Sequence, residues 1–245
     1  MNRLLIDGDV VLYQVTQACE TAVDWGDDMW TLHSDFKEAK QRWDCWIADI
    51  MERLNGDKCE IAFSGTDNWR KTVLPTYKSH RKSNRKPLVF NELKNYVHDT
   101  YKTHMADILE GDDVLGIMMG DSKLSGDKIC VTIDKDLKTI EGLHYNPMKK
   151  DEGVFEVSEE QADYNHLYQA LMGDAVDGYA GCPGIGPKTA SRLLDDKGAT
   201  WDTVVGAYNK KGIEEEDALV QARVARILRF GEYDRKNEEV ILWLP

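Results

Sequence analysis

Three short runs of strand-forming residues each lead into an acid, and that pattern restricts the chain more than any other. Leu4 to Ile6 stops before Asp7, Cys59 to Phe63 leads toward Asp67, and Ile129 to Ile133 stops before Asp134. Runs this short and apolar read as buried strands. Between the first two, Asp35 to Leu54 reads as a helix. Trp43, Trp46, Ile47, Ile50, Met51 and Leu54 fall on one stripe, and Asp35 with Glu38 has the spacing of a capping box. Strand, helix and strand join by a right-handed crossover, which makes neighbouring strands parallel. Ligands of parallel sheets collect beyond the carboxyl ends of the strands, where these aspartates would stand. An α/β fold on a parallel sheet is therefore expected.

The pattern changes after Pro147. Ser158 and Gln161 are spaced as a second capping box, ahead of a helix carrying Leu167 and Leu171. Gly173 to Gly186 is rich in glycine and aspartate, and Pro187 suits the first turn of another helix. A helix from about Ala218 to Phe230 would stop at Gly231 in a left-handed cap, and Val240 to Leu244 reads as a late strand. A sheet-bearing part, 1–150, and a mainly helical part, 151–245, are expected. Tryptophans such as Trp25, Trp30 and Trp201 are expected in or beside the core, as large aromatics usually are.

Carboxylates recur in small groups at these boundaries: Asp7 with Asp9, Asp67, Glu110 with Asp112 and Asp113, Asp134 with Asp136, and Asp174 with Asp177. Singly, each group has an ordinary explanation. Glu110 to Asp113 precede the apolar Val114 to Met119 and would cap that helix, while Asp134, Asp136 and Asp174 suit turns. Caps and turns give no reason for the groups to follow successive strand and helix boundaries. Gathered at one sheet edge, they would raise one another's pKa unless cations came between them. Oxygen ligands without Cys or His select a hard ion, Mg²⁺ or Mn²⁺, over zinc. Two such ions can hold a phosphate, activate water and stabilise the departing oxygen, which is phosphodiester hydrolysis without a protein nucleophile.

The formal charge of −13 by itself argues against a nucleic-acid partner. Its distribution argues the other way. From Asn68 to Asn91 stand seven basic residues, Arg70, Lys71, Lys78, Arg81, Lys82, Arg85 and Lys86, and no acid. That segment could attract a polyanion, with a solvated basic loop as the plainer alternative. Gly184-Ile185-Gly186-Pro187-Lys188-Thr189 reads as a turn opening into a helix. Its glycines would let amides approach a phosphate, the helix start and Lys188 would add positive charge, and no base edge would be read. A turn that merely caps a helix is the alternative, and the spacing to Lys188 is too short for an ATP loop. Five scattered cysteines without a CxxC pair suggest neither a zinc cluster nor disulfides. With no run long enough to span a bilayer, a soluble protein of a reducing cytosol is expected.

These residues, in this order, resemble the 5′-nuclease superfamily of flap endonucleases and phage 5′→3′ exonucleases. The matching pieces are LLIDGD (Leu4 to Asp9), LPTYKSHRK (Leu74 to Lys82), EGDD (Glu110 to Asp113), TIDKDL (Thr132 to Leu137) and GDAVDGYAGCPGIGPKTA (Gly173 to Ala190). WRK at Trp69 to Lys71 and the tail from ARILRFGEYD to VILWLP resemble in particular the exonucleases of short-tailed phages. The resemblance implies a PIN-like parallel sheet flanked by helices, with a helical C-terminal DNA-binding region of helix-turn-helix type. It implies one metal held by Asp7, Asp67, Glu110 and Asp112 and a second by Asp134, Asp136 and Asp177, with Asp113 and Asp174 in support. Lys78 and Arg81 fall where the family's arch contacts the scissile phosphate, and Arg70, Lys71, Lys82, Arg85 and Lys86 around them are expected to bind DNA. Gly184, Gly186 and Lys188, with Thr189, match the family's turn for duplex DNA, where some relatives also carry a potassium ion. Two departures stand out: the family's usual Asn after Asp177 is replaced by Gly178, and the arch segment is short and poor in aromatics that could stack a base.

What the resemblance implies, then, is Mg²⁺-dependent hydrolysis from 5′ ends of double-stranded DNA, without sequence preference, by a monomer in the host cytoplasm. Action on flaps or on RNA in hybrids stays open. A rival is a haloacid-dehalogenase-type phosphatase, with Asp7 as covalent nucleophile and Asp9 as general acid. It leaves EGDD, the basic segment and GIGPKT unexplained. A DNA-binding protein whose acids are structural is the other alternative.

Overall fold

The structure, a computed structural model, describes residues 1–80 and 85–245. Arg81 and Lys82 lie outside the described residues. The first half runs β1 (Asn2–Asp7), α1 (Gly8–Ala18), β2 (Glu20–Asp24), β3 (Trp30–Ser34), α2 (Phe36–Arg53), β4 (Gly56–Ala62), α3 (Arg70–Val73), α4 (Phe90–Thr100), β5 (Thr103–His104) and α5 (Gly111–Gly120). It continues with β6 (Asp127–Val131), β7 (Gly142–Tyr145), β8 (Val154–Val157), α6 (Glu159–Met172), α7 (Pro187–Lys197), α8 (Trp201–Asn209), α9 (Glu215–Ala225), β9 (Tyr233–Asp234) and β10 (Glu239–Val240). Short 3-10 turns cover Lys135–Thr139 and Lys150–Glu152.

All three apolar runs are strands of one sheet, ordered β5-β4-β1-β6-β7-β8. It is parallel except at β8, which pairs antiparallel with β7. Side chains alternate between the faces of a strand, so each run feeds two cores. Leu4, Ile6, Ile61, Phe63, Ile129 and Val131 pack with the stripe of α2 and with α1 and α4. Leu5, Ala62 and Cys130 pack on the other face against α5, Ile227 and Leu228. A third core joins α6, α7 and α8 around Leu171, Leu194 and Val204. The α2 stripe is buried as its periodicity requires, with Trp43 fully enclosed. Its cap is simpler than the spacing suggested: Asp35 accepts from Lys37 N at 2.8 Å. Among the described residues no helix is long and apolar enough to cross a membrane.

The C-terminal half departs from the sequence reading in three places. The sheet extends past residue 150, because β8 pairs with β7. α9 ends at Ala225 and not near Phe230, because Arg70 takes its last carbonyls: Nε donates to Val224 O at 2.9 Å and Nη2 to Arg226 O at 2.5 Å. Gly231, with φ +92°, lies in a turn before β9, and the late strand is only Glu239–Val240. Trp25 and Trp30 are 63% and 60% exposed, since β2 and β3 form a two-stranded hairpin outside the main sheet. Trp201 packs at the edge of the third core.

Candidate metal centre

The carboxyl ends of β1, β4 and β6 open on one edge, and the acids stand there because each caps or follows an element. Asp7 ends β1 and caps α1. It accepts from Val10 N at 3.3 Å and from Thr132 Oγ1 at 2.9 Å. Asp9, in the first turn of α1, accepts from Ser64 N at 2.7 Å, just beyond β4. Gly8 permits this approach: a Cβ there would lie 2.6 Å from Ile61 Cγ2 and 2.7 Å from Ala62 O. Glu110 caps α5 and Asp112 lies in its first turn. Asp134 caps the 3-10 turn after β6, accepting from Asp136 N at 2.8 Å, while Asp136 accepts from Gln169 Nε2 of α6 at 2.9 Å. Asp174 closes the turn after α6 by accepting from Val176 N at 2.7 Å.

These elements bring eight carboxylates to one cleft of about 430 Å³: Asp7, Asp9, Glu110, Asp112, Asp134, Asp136, Asp174 and Asp177. Lys78 and Tyr77 enter it from the basic segment. The Lys78 ammonium pairs with Glu110 and lies 3.5 Å from Asp177 Oδ2, and its amide donates to Asp177 O at 2.8 Å. Its φ of +53° is a left-handed conformation that these contacts hold in place. Tyr77 OH lies 2.9 Å from both Glu110 Oε2 and Asp177 Oδ2, and its one proton serves one of them at a time.

Electrostatics divides the acids into two kinds. Burial, opposed by the Thr132 and Val10 hydrogen bonds and aided by Asp9 and Asp134, pushes Asp7 up to about 6. Burial and then Asp134 push Asp136 to about 6, and burial with Asp7, Asp134 and Glu110 raises Asp112 well above the usual carboxylate range. Burial would raise Glu110 as well, but Arg70 and Lys78 outweigh it and hold the group at about 2. Three carboxyls thus have too little counter-charge to offset burial, Asp136 having only Lys135 nearby, while Glu110 has enough. Among the described residues no three acidic, Cys or His side chains are already gathered as a ready-made ion cage.

Several sequence expectations are corrected. Arg70, expected to be a surface cation for DNA, is 3% exposed at the wall of the cleft, and its guanidinium meets Asp113 at 2.7 and 2.8 Å and Glu110 at 3.1 Å. Asp113 is fully buried and lines no part of the cleft, because it also accepts from Trp69 Nε1 at 3.0 Å and Leu228 N at 3.1 Å. Neighbours on a helix point about 100° apart, which sends Asp112 to the cleft and Asp113 into this pair. Asp67 stands apart from the eight acids, in an adjoining groove, exposed and paired with Lys71 at 3.1 Å. It follows β4 by five residues, and the chain has turned away by then.

Of the other basic residues, Lys71 is exposed, Arg85 grips Glu20 at the foot of the hairpin, and Lys86 lies 4.7 Å over the Phe90 ring. The glycine turn is separate from the cleft lining. Gly184 has φ +75°, Gly186 caps α7, Lys188 is exposed and Thr189 N donates to Gly186 O at 3.0 Å. Sequence reasoning missed Tyr77, Gln169, Ser64 and Thr132, and it counted Asp9 without assigning it a place. Tyr77 adjoins Lys78 and Thr132 precedes Asp134, so nearness to the acidic motifs was an available signal. Gln169 offered none, being one polar residue in an ordinary helix.

No family model matches the chain. It is 30% identical over 281 aligned residues to an exodeoxyribonuclease of Enterobacteria phage T3, covering 99% of this chain and 92% of that protein. It is 29% identical over 280 residues to an exonuclease of Escherichia phage T7, covering 99% and 93%. A flap endonuclease Xni of a Shewanella strain is 25% identical over 202 residues, covering 78% and 76%. The fold is similar to that of the bacteriophage T5 D15 flap endonuclease, solved with DNA and metal ions: TM-score 0.68, 14% identity, 92% of this chain and 89% of that one. Nothing in these likenesses supports the phosphatase alternative. With a match of this identity along nearly all its length, the chain belongs to the 5′-nuclease superfamily, among the phage exonucleases.

Proposed function

We propose that this enzyme is a Mg²⁺-dependent 5′→3′ exodeoxyribonuclease that hydrolyses phosphodiesters at the 5′ ends of double-stranded DNA. The observation that carries this reading is the cleft: eight carboxylates from distant segments converge on it, with Lys78 set among them and paired with Glu110. The donor set fits a hard divalent ion, being all oxygen and short of positive charge at Asp7, Asp112 and Asp136. Asp7, Glu110 and Asp112 would hold one Mg²⁺, and Asp134, Asp136 and Asp177 a second, with Asp9 and Asp174 beside them. Such ions clamp a phosphate, lower the pKa of a bound water and neutralise the departing oxygen.

The chain's own residues do the positioning. Thr132 and the start of α1 fix Asp7, Gln169 orients Asp136, and Tyr77 sets Glu110 against Asp177. Lys78 presents its ammonium to the phosphate. The glycine turn and Lys188 would grip duplex backbone, with a potassium ion as partner, and Mn²⁺ is expected to replace Mg²⁺. A time course on 5′- and 3′-labelled duplex, with and without Mg²⁺, tests polarity and metal need together. Asp112→Asn should abolish cutting while DNA binding persists. Cutting by that variant, or Mg²⁺-independent cutting by the native protein, would refute the metal assignment.

A further inference from the structure

Beyond Asp134 the same sheet edge carries a second cleft, of about 140 Å³, with the opposite character. Lys135, Lys138, Lys149, Asn146 and Phe155 line it, together with one acid of its own, Glu152, besides Asp134. Lys135 and Asp134 also line the acidic cleft, so the two are continuous. The cause is topological. β1, β6 and β7 lie side by side and parallel, and the segments that follow β6 and β7 form both walls. Three lysines gathered here are notable in a chain of net charge −13, and none belongs to the basic segment at 68–91.

The groups are available to an anion. Lys138 Nζ lies 5.1 Å over the Phe155 ring, which is itself stacked on His144. Lys149 pairs with Glu152 at 3.0 Å, but both side chains are more than half exposed, and such a pair contributes little and yields to a phosphate. Asn146 Oδ1 accepts from Met148 N at 2.9 Å, which leaves its NH₂ group to donate. Nothing in this lining offers a fixed pattern for a base edge, so the ligand it suits is the phosphate backbone.

We propose that this lysine groove is a second phosphate subsite for the DNA strand that passes through the acidic cleft, a reading that rests on the nuclease function above. Two strand spacings of about 4.8 Å separate the ends of β1 and β7, roughly 10 Å in all. The rise of about 3.4 Å per nucleotide along a duplex axis is a lower bound on the spacing of phosphates along one strand, so the groove meets the backbone within about three nucleotides of the cut. It would therefore hold the strand in register on the side of the acids away from the basic segment.

The test is a Lys138→Ala/Lys149→Ala double variant, with Lys37→Ala on the exposed start of α2 as a control for loss of charge alone. Binding of a duplex with a 5′ end is measured against salt, on an Asp112→Asn background that keeps the DNA intact. The slope of log K against log salt should flatten by about 0.9 for each phosphate no longer neutralised, so by roughly two for the double variant, and stay unchanged in the control. A single neutral methylphosphonate, scanned over positions one to five from the cut, should remove about half of the difference between parent and double variant, and only at one or two adjacent positions within the first three. With residue 112 native, the single-turnover rate at saturating DNA should be unchanged. A slope matching the control, or effects that add at every scanned position, overturns the subsite. A collapse of the saturated rate also overturns it, by assigning the lysines to the chemical step. Failure of the native protein to cut DNA would instead count against the nuclease reading itself.

Discussion

Replacing Asp7 by Asn should make the metal-free protein more stable, although it removes a proposed metal ligand. Asp7 is 3% exposed and its carboxyl is pushed from 3.8 to about 6, chiefly by burial. A raised pKa in the fold means a stability contribution that is whole below the unfolded value and is lost as pH rises through the folded one. From 3.8 to about 6, that loss comes to about 3 kcal/mol near pH 7.5 and about half of it near pH 5. Asn does not titrate, caps a helix about as well as Asp, and keeps an oxygen for Val10 N. Its buried amide and the altered hydrogen bond to Thr132 offset part of the gain, so ~1–3 kcal/mol is expected near pH 7.5. In a chain of this length that is at least about 2 °C in Tm. The assay is thermal unfolding in a chelator at both pH values for native protein and variant.

The difference between the two proteins is the quantity to read. Burial lowers His166 to about 3 and also depresses His98, His104 and His144. Stability from those groups is lost as pH falls below their unfolded values, which opposes the carboxyl trend in either protein alone but cancels between them. Mg²⁺ should shrink the difference and reverse it wherever the gain is below about 2.7 kcal/mol, the amount that an ion at 100 times its Kd adds to the protein that binds it. A variant less stable than the native protein in chelator near pH 7.5 would refute the reasoning, because the carboxylate would then be supporting the fold.

Arg70→Ala should cost about 3–5 kcal/mol by leaving Asp113 buried without its cation, and Arg70→Lys should not restore it because one ammonium cannot replace the fork; urea unfolding checks both. Lys78→Ala should slow turnover with only a modest rise in Kd, read from single-turnover kinetics against binding, because it removes one of several cations that meet the phosphates. Lys188→Ala should weaken duplex binding at unchanged preference for 5′ ends; a larger effect on flaps than on blunt ends would refute that role. Gly178→Ala should destabilise by about 1–2 kcal/mol, since φ is +81° and a Cβ would lie 2.9 Å from His80 Nδ1, and His80→Ala should return only the part due to that clash.

The same positive φ shows what the sequence could and could not carry. From sequence alone, Gly178 reads as a departure from the family's usual Asn. In the fold the position is left-handed, a conformation that Gly adopts freely and Asn more readily than most residues, and the His80 ring stands over it. The strand ends were legible because apolar runs and their terminal acids are local patterns. The burial of Arg70 was not legible because its meeting with Asp113 joins residues 43 apart in the chain, and a buried arginine looks in sequence like its exposed neighbours. Trp25 and Trp30 were misplaced for the converse reason: hydrophobicity predicts burial only where a core is within reach, and the β2–β3 hairpin lies outside the sheet.

An enzyme so acidic faces a difficulty with a polyanionic substrate, and the arrangement of charge suggests how it is met. The carboxylates are concentrated in one cleft, where Lys78 neutralises Glu110 and leaves Asp7, Asp112 and Asp136 wanting counter-charge. Without divalent ions that cleft should repel a phosphate, while the basic segment and the lysine groove on either side still attract one. Metal binding and entry of the scissile phosphate should therefore be coupled, each raising affinity for the other by the same factor. Mg²⁺ affinity measured with and without a DNA end, and DNA-end affinity measured with and without Mg²⁺, must then close a cycle. If the two ions bound equally well with or without DNA, the acids would be a preformed cage, and the repulsion inferred from their raised pKa values would be wrong.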